Sequence, residues 1–357
     1  MPDTDTTLSI EIKELENKVA SAVLPPELIT NVDAMLGRLA RSIKFGSYSE
    51  EYERMRHYID WITSLPWNKR SSDQLDIVKA KEILDRYHYG LEDIKERIME
   101  YISVLKLKSD QGQNAFAKAP ILLLVGLVGT GKTTFAKSLA ESLHRQFVRI
   151  PFGGMGSARD LRGQSRLHLE AEPGHVIKAL RKAGTKNPVI LLDEIDRIST
   201  NALESVMGVL VELLDPEQNS AYLDHYIDFP IDLSEVLFIG TANNTGNIAT
   251  AVMDRMEPIS MPSYTDQQKI IIGQRFILPR ALEDAGLTAG EMNIEEQLWP
   301  QITRPLGYDA GIRTLQRTIV GMVRKVAKLK VSGMALPIGI NRDNIKDFLP
   351  TYETELI

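Results

Sequence analysis

Cysteine is absent from the 357-residue sequence, and so is any long apolar run. Without cysteine the chain cannot form disulfides or thiolate metal sites, a composition that is typical of cytosolic proteins. No apolar run approaches the ~20 residues that a membrane-spanning helix needs. The stretch from Met1 to Thr7 is acidic and lacks the basic and then apolar pattern of a secretion signal. We therefore expect a cytoplasmic protein that has no membrane partner.

Basic residues are fewer than acidic residues. The chain has 42 lysines and arginines against 48 aspartates and glutamates, which gives a formal net charge of −6. This balance argues against nucleic acid as the main partner, although a local basic patch can be hidden in an acidic total. The basic cluster is Arg324, Lys325, Lys328 and Lys330 on one predicted helix, where a solvated helix face is the commoner explanation. We therefore rank nucleic acid low among the partners.

A glycine-rich loop organises the rest of the chain. The aliphatic run from Ile121 to Val125 predicts a buried parallel strand, and a helical pattern begins at Thr134. Between them, the sequence from Gly126 to Thr133 fits G-x-x-x-x-G-K-[ST] without a mismatch. The alternative is a glycine-rich turn without a ligand, but the motif stands in the strand, loop and helix context that a phosphate-binding loop requires.

Each residue type in this loop suits a phosphate. Glycines let the backbone turn tightly and direct its N–H groups at an anion, and the following helix adds its dipole. Lys132 would reach the β- and γ-phosphates, and the Thr133 hydroxyl would hold Mg²⁺. The sequence therefore predicts a site for a nucleoside triphosphate. Its residues are Gly126, Leu127, Val128, Gly129, Thr130, Gly131, Lys132, Thr133 and Thr134.

Acids follow a second apolar strand, from Val189 to Leu192. Asp193 at the strand end would bind Mg²⁺ through water beside Thr133, and Glu194 would polarise the attacking water. Many parallel strands end in an acid, so this feature alone is weak evidence for a nucleotide site. It becomes strong evidence because it follows the glycine-rich loop in the sequence. We interpret Asp196 as a helix cap or a surface acid.

A third buried strand begins at Val236 and delivers Asn243 at its carboxyl end. Open parallel sheets bind ligands at that edge, so Asn243 is placed to hydrogen-bond the attacking water or the γ-phosphate. The alternative is a turn asparagine, because Asn243-Asn244 is also good turn material. We favour the functional interpretation.

The pattern of periodicity divides the chain into parts. Helices are predicted over 7–65, with breaks at Pro25-Pro26 and Gly46-Ser47, and over 74–88 and 90–108. Predicted strands are 121–125, 147–151, 188–193, 236–241 and 257–261; helices between them are 131–143, 174–183, 199–214 and 247–253. After Pro262 only helices are predicted, at 266–282, 294–303 and 309–332. We therefore expect a helical segment (1–108), an α/β nucleotide-binding domain (109–262) and a C-terminal helical subdomain (263–357).

The loop, the Asp193-Glu194 pair and Asn243, in this order, resemble an AAA+ ATPase. The resemblance narrows to the ATPase module of Lon proteases through further strings. These are Tyr58-Ile-Asp-Trp61, Leu65-Pro-Trp67-Asn68, His88-Tyr-Gly-Leu91, Leu191-Leu-Asp-Glu-Ile-Asp196, Leu214-Asp-Pro-Glu-Gln-Asn219, Asp254-Arg-Met-Glu257 and Ala310-Gly-Ile-Arg313. The resemblance implies an α/β AAA+ P-loop NTPase core with a helical N-terminal segment and a C-terminal helical lid. It also implies ATP and Mg²⁺ as cofactors and a homo-oligomeric ring, expected to be a hexamer.

The resemblance assigns further site residues. Arg255 resembles the arginine finger, which reaches the γ-phosphate of a neighbouring subunit; its alternative is a surface arginine paired with Asp254 or Glu257. Arg313 resembles the sensor-2 arginine of the lid, or is one more basic residue on its helix. Tyr89 lies in a string that resembles the segment against the adenine, where it could stack or simply fill the core.

One departure from the family concerns the peptidase. The sequence ends at Ile357, where the lid would end, whereas Lon proteases continue into a peptidase domain with a serine–lysine dyad. We therefore expect either a fragment or a stand-alone ATPase, with a separate peptidase as a possible partner.

The second departure lies in segment 166–174, which resembles the pore loop that grips unfolded polypeptide. Here His168 takes the aromatic position, Leu169 keeps the aliphatic one and Glu170 replaces a glycine. Acids at Glu170 and Glu172 would place negative charge in the pore of a ring and repel acidic polypeptide. Drift of the loop after translocation ceased is the favoured interpretation, and a changed substrate is the alternative.

The predicted function is that of a Lon-type AAA+ ATPase, which hydrolyses ATP at intersubunit sites to unfold or remodel protein substrates. Its predicted catalytic residues are Glu194, Asn243, Arg255 and Arg313. The alternative is an ATP-controlled scaffold or regulatory protein without translocation activity, motivated by the altered pore loop and the missing peptidase.

Overall fold

The computed structural model describes residues 4–42, 48–113, 116, 119–168, 170–304 and 311–350; for residues 4–10, 42, 48 and 49 it describes the backbone alone. Leu169, the predicted aliphatic residue of the pore loop, lies outside the described residues. Within these ranges, no helix combines the length and the apolar character needed to cross a membrane.

Helices form the amino-terminal part of the described chain, as predicted. They are α1 (Thr4–Ser21), α2 (Pro26–Ser42), α3 (Tyr48–Ser64), α4 (Ile77–Tyr87) and α5 (Glu92–Asp110). Pro26 is the first residue of α2, a position where the missing N–H has no helical partner to lose. At α4 the Asp76 side chain accepts the N–H groups of Val78 and Lys79, which fixes the start of the helix.

A parallel sheet follows. The strands of this part are β1 (Ile121–Val125), β2 (Phe147–Pro151), β3 (Val189–Asp193), β4 (Tyr222–Leu223), β5 (Pro230–Ile231), β6 (Leu237–Ala242) and β7 (Met256–Ser260). The sheet has the order β2-β3-β6-β1-β7, and its neighbours pair in parallel. The strand predictions for this sheet are confirmed to within a residue at either end. The short antiparallel pair β4–β5 was not predicted, because two-residue strands carry no periodicity.

Helices cover both faces of the sheet. They are α6 (Lys132–Ser142), α7 (Arg159–Arg162), α8 (His175–Ala183), α9 (Leu203–Leu213) and α10 (Thr250–Met253). Alternate residues of β1 face opposite sides, as strand geometry requires. Leu122 and Leu124 pack with α4, α5 and α6. Leu123 belongs to a core that joins α8 and α9 to the N-terminal helices α1, α2 and α3.

The C-terminal part contains strands as well as helices, so the prediction of helices alone after Pro262 is wrong. Its elements are α11 (Asp266–Ile272), a π-helical turn (Gly273–Ile277), α12 (Leu278–Asp284), β8 (Met292–Ile294), α13 (Trp299–Thr303), α14 (Arg313–Val331), β9 (Ile338–Ile340) and α15 (Ile345–Phe348). Strands β8 and β9 pair in parallel. At three residues each, they are too short to show a period of two.

A buried aspartate fixes the chain next to α7. Asp224 has no exposed surface, and its carboxylate accepts the backbone N–H groups of Gly174, Tyr226 and Ile227 at 2.8–3.0 Å. A Cβ added at Gly174 would lie 1.9 Å from the carbonyl oxygen of Leu161. The loop before α8 therefore approaches α7 as closely as only glycine allows.

We expect Asp224→Ala to lower the free energy of unfolding by about 3 kcal/mol, because buried backbone N–H groups would lose a charged acceptor. Urea unfolding followed by circular dichroism measures this change. Asp232→Ala is the matched control, since Asp232 is exposed and accepts one N–H, from Ser234. Its effect should stay below about 0.5 kcal/mol. Equal losses in both variants would contradict the structural role of Asp224.

Candidate nucleotide-binding site

The glycine-rich loop connects β1 to α6 at the carboxyl edge of the sheet. Gly129 and Gly131 have φ angles of +85° and +93°, in the left-handed region that favours glycine. A Cβ added at Gly126 would lie 2.4 Å from the carbonyl oxygen of Met261. The motif glycines are thus required by backbone conformation at two positions and by packing at the third.

Lys132 points back into the concavity of this loop. Its Nζ donates to the carbonyl oxygens of Gly126 at 2.5 Å and Leu127 at 3.0 Å, and to Oδ1 of Asn243 at 3.1 Å. Burial lowers the pKa of Lys132, and the nearby carboxylates of Asp196 and Asp193 oppose that shift. The structure therefore brings the predicted lysine and the predicted asparagine into direct contact.

Asp193 lies at the end of β3 with 4% of its surface exposed. Its Oδ1 accepts the Thr241 hydroxyl and lies 3.5 Å from the Thr133 hydroxyl. Its Oδ2 accepts Nε of Arg149 at 2.5 Å. Neither Thr241 nor Arg149 is among the site residues predicted from the sequence. The only sequence signal for Arg149 is that a charged side chain stands in the middle of an otherwise mostly apolar strand, β2.

Glu194 adopts a left-handed backbone conformation, with φ of +59°. Such a conformation costs a residue with a side chain roughly 1 kcal/mol and is often found at functional sites. The Glu194 N–H donates to the Thr241 hydroxyl at 2.9 Å, which ties the strand end to β6. The carboxylate is 3.7 Å from Arg197 and remains partly exposed.

Asn243 follows β6 and faces Lys132. Its Oδ1 accepts the lysine ammonium, whereas its Nδ2 is buried and has no hydrogen-bond partner among the described residues. A buried donor without an acceptor is unfavourable and calls for a ligand or water at that position. An oxygen-rich group beside Lys132 would supply the acceptor.

Asp196 is neither a helix cap nor a surface acid, so both interpretations of this residue are wrong. It is 6% exposed, and its Oδ2 accepts the N–H groups of Asn243 at 3.1 Å and Asn244 at 3.4 Å. The carboxylate therefore holds the loop that presents Asn243. The contact joins the segments after β3 and β6, so only the sheet order reveals it.

The C-terminal part reaches the glycine-rich loop through the start of α14. The Ile312 N–H donates to the Gly129 carbonyl at 3.1 Å. A Cβ added at Gly311 would lie 2.5 Å from the Val128 carbonyl oxygen, so the two backbones touch. Arg313 lies beside Gly129, and its charge lowers the pKa of Lys132. Arg313, which resembles the sensor-2 arginine, therefore lies close to the glycine-rich loop.

The string 88–91 lies against α6. His88 is buried, its Nε2 is 3.0 Å from the Ser138 hydroxyl and its ring centroid is 5.0 Å from that of Phe135. Burial, and then the charge of Lys95, lower the pKa of His88 to about 4. Tyr89 is half-buried beside it. The structure therefore places this string next to the helix that begins at Lys132.

Arg255 lies at the other end of the sheet. It directly precedes β7, whose first residue pairs with Ile121 at the amino end of β1. The glycine-rich loop follows the carboxyl end of β1, roughly 16 Å away for a five-residue strand. The Arg255 guanidinium donates to Asp215 at 2.9 Å and to the Ala251 carbonyl at 2.8 Å. Its partner is therefore neither Asp254 nor Glu257, the partners of the alternative interpretation.

The segment that resembles a pore loop is exposed at His168 and Glu170. Glu172 forms an ion pair with Lys178, and the hydrogen bond from that lysine lowers the pKa of Glu172. Part of the negative charge expected in this segment is therefore compensated within the chain. The guanidinium of Arg166 lies 4.0 Å from the ring centroid of Tyr58 in α3.

The sequence of the chain is similar to those of a known family and of several known proteins. Residues 122–263 match the family described as "ATPase family associated with various cellular activities (AAA)". The chain is 44% identical over 339 residues to the Lon protease of Lawsonia intracellularis, covering 95% of this chain and 40% of the relative. For Lon protease 2 of Thermus thermophilus the identity is 44% over 324 residues, covering 89% and 40%. For the Lon protease of Halothermothrix orenii it is 40% over 346 residues, covering 96% and 43%.

This chain contains an AAA domain and is a homologue of Lon proteases. It spans about 40% of the length of the curated relatives that it matches. AAA domains imply nucleotide binding together with a divalent metal.

The residues of this AAA domain fit such a ligand. The Lys132 ammonium is held by neutral oxygens, and Nδ2 of Asn243 lacks an acceptor, so a phosphate oxygen would improve both environments. Thr133 and Asp193 offer a hydroxyl and a carboxylate, ligands that Mg²⁺ prefers. In the described part of the chain, no group of three or more His, Cys, Asp or Glu could hold a metal. Mg²⁺ at Thr133 and Asp193 would therefore need phosphate oxygens and waters as well.

We expect Asp196→Ala to speed hydrogen exchange at the amides of Asn243 and Asn244 about tenfold or more, because a hydrogen bond to a charged group is worth about 1.5–3 kcal/mol. Hydrogen exchange with mass spectrometry measures the change. Asp254→Ala is the control, since Asp254 is exposed on the neighbouring turn. Unchanged exchange in Asp196→Ala would refute the anchoring role.

We expect His88 to make the protein less stable as pH falls from 6.5 to about 4. The folded-state pKa is about 4 and the ordinary value is 6.5, so the unfolded chain binds the proton more tightly over this range. The loss should reach about 3 kcal/mol at the lower end. Urea unfolding at several pH values should show this slope reduced in His88→Asn and kept in the control His144→Asn, whose histidine is exposed. The same slope in all three proteins would refute the assignment.

Proposed function

We propose that this chain binds and hydrolyses ATP with Mg²⁺ at sites shared between copies in a ring. The observation that carries the proposal is the convergence of Lys132, Thr133, Asp193 and Asn243 at the carboxyl edge of the sheet, with Arg255 at the opposite edge. A single copy therefore supplies both parts of a site but in places too far apart to meet. A ring, expected to be a hexamer, would join them.

The residues have distinct roles in this reaction. Lys132 would leave the carbonyl oxygens of its own loop and bind phosphate oxygens, which carry more charge. Glu194 would accept a proton from the attacking water, which Asn243 would orient. Mg²⁺ would neutralise charge on the phosphate oxygens.

Each nucleotide would be contacted by Arg313 of the copy that binds it and by Arg255 of a neighbouring copy. Arg313 lies beside Gly129 of its own loop, so it would act within one copy. Arg255 is positioned by Asp215, whose pKa the hydrogen bond from Arg255 lowers. A guanidinium suits this task because it stays charged and binds two oxygens at once. It would act on the nucleotide of a neighbouring copy.

The relatives are named Lon proteases, and we propose that hydrolysis here likewise serves to unfold or remodel protein substrates. A peptidase, carried elsewhere in a longer chain or by a separate protein, would degrade them. We place this activity in the cytoplasm. Neither a membrane nor nucleic acid is part of the proposal.

A second candidate function is an ATP-controlled scaffold. Two observations favour it. The contact between Arg166 and Tyr58 anchors the segment that resembles a pore loop to α3. In that segment, His168 replaces the aromatic residue that would grip a polypeptide. An ATP-dependent unfolding assay on a tagged model substrate separates the two functions. Unfolding that requires ATP would reject the scaffold.

We expect Glu194→Gln and Arg255→Ala each to abolish turnover while Mg·ATP binding persists. Mixing the two variants should restore roughly a quarter of wild-type ATPase activity, since random rings then contain sites with an intact acid and a neighbour's intact arginine. Arg280→Ala, which removes an exposed arginine, is the control and should stay active. No recovery on mixing, with rings confirmed by light scattering, would contradict a shared site.

A further inference from the structure

A groove of about 920 Å³ lies between the N-terminal helices and the chain around α7. We infer that it binds a polypeptide segment that carries acidic and large apolar side chains. This inference rests on the proposed function, because such a segment would belong to the protein that is unfolded. Its charged lining residues are Arg38, Glu51, Arg54, Arg159, Arg166 and Asp228.

The lining contributed by α2 and α3 includes an apolar surface. Met35 and Met55 pack against the main hydrophobic core and remain partly exposed, whereas Leu39 and Tyr58 are 4% and 2% exposed, so the methionines present most of this surface. Methionine side chains are flexible and polarizable, so they adapt to different apolar partners. This surface therefore suits large apolar side chains without selecting a single one.

The charge of the lining is positive although the chain as a whole is negative. Four arginines stand against Glu51 and Asp228, an excess of two positive charges, whereas the whole chain has a net charge of −6. Asp228 is engaged by Arg166 at 3.6 Å, and Glu51 also has an interaction partner. Both acids of the groove therefore already have an interaction partner in the chain.

The arginines of the groove differ in their engagement. Arg54 pairs with Glu50, and Arg166 with Asp228. Arg38 and Arg159 are exposed, and their guanidinium groups form no ion pair with other described residues. Available charge in the groove is therefore cationic, and carboxylates are the groups of a polypeptide that complement it.

Arg166 connects the groove to the segment that resembles a pore loop. Its guanidinium lies over the Tyr58 ring, and its Nη1 lies 3.7 Å from the Met35 sulfur, so one side chain joins both walls. The next residue, Leu167, is 84% exposed at the lip of the groove. Leu167 would therefore extend the apolar surface offered to a bound polypeptide as far as the lip of the groove.

The test uses fluorescence anisotropy with a labelled twelve-residue peptide of alternating glutamate and leucine. A second peptide with lysine in place of glutamate is the comparison. We expect the full chain, without ATP, to bind the acidic peptide at least tenfold more tightly. Arg38→Glu combined with Arg159→Glu should weaken that binding at least tenfold. The matched charge control, Arg280→Glu with Lys346→Glu, should leave it within a factor of two, because both residues are exposed in α12 and α15.

Cross-linking locates the bound peptide independently of these variants. A benzophenone group replacing one leucine should label Met35 or Met55, since benzophenone reacts readily with methionine. Labelling elsewhere alone, equal binding of both peptides, or full binding by the Arg38 and Arg159 double variant would each overturn the inference. Equal competition by single-stranded DNA would also overturn it, because that outcome assigns the charge to nucleic acid.

The measurements separate this inference from the proposed function. Peptide binding is measured without ATP, and the mixing experiment with Glu194→Gln and Arg255→Ala uses no peptide. Selective peptide binding without restored turnover would refute the shared ATPase site alone. Restored turnover with unselective peptide binding would refute the groove alone.

Discussion

Parallel hydrogen bonding between β1, β6 and β3 is the constraint on which the candidate site depends. The register pairs Val125 with Ala242 and Leu192 with Gly240, so the carboxyl ends of these strands lie at one edge of the sheet. Lys132, Glu194 and Asn243 all stand in the segments that follow these strand ends. The lysine, the acids and the asparagine of the site therefore meet because the chain must leave the sheet there.

A buried polar network then sets the positions of these groups. Asp193 is held between Thr241 and Arg149, and Asp196 holds the loop of Asn243. Such networks are strong when every member has a partner and costly when one is missing. Among the described residues, Nδ2 of Asn243 and Oδ1 of Asp196 are both buried without a partner, and a ligand beside Lys132 would supply an acceptor for the first of them.

The two ends of the sheet present different groups. The carboxyl end gathers the groups that would bind a phosphate, and the amino end presents Arg255, fixed by Asp215. Contact between Ile312 and Gly129 links the C-terminal helices to the first of these ends. The N-terminal helices share a core with the sheet and border the basic groove. Binding of nucleotide and of polypeptide would therefore involve separate surfaces of one connected structure.

From the sequence alone one can predict the strands of the main sheet, the N-terminal helices and the loop from Gly126 to Thr133. These features carry local signals, namely aliphatic runs, helical periodicity and glycines at fixed spacing. Tertiary structure decided what depends on residues far apart in the chain. It assigned Asp196 to the Asn243 loop, Arg149 to Asp193 and Asp215 to Arg255, and it paired β8 with β9. No local pattern encodes these contacts, because the order of strands in the sheet and the packing of helices on it bring the partners together.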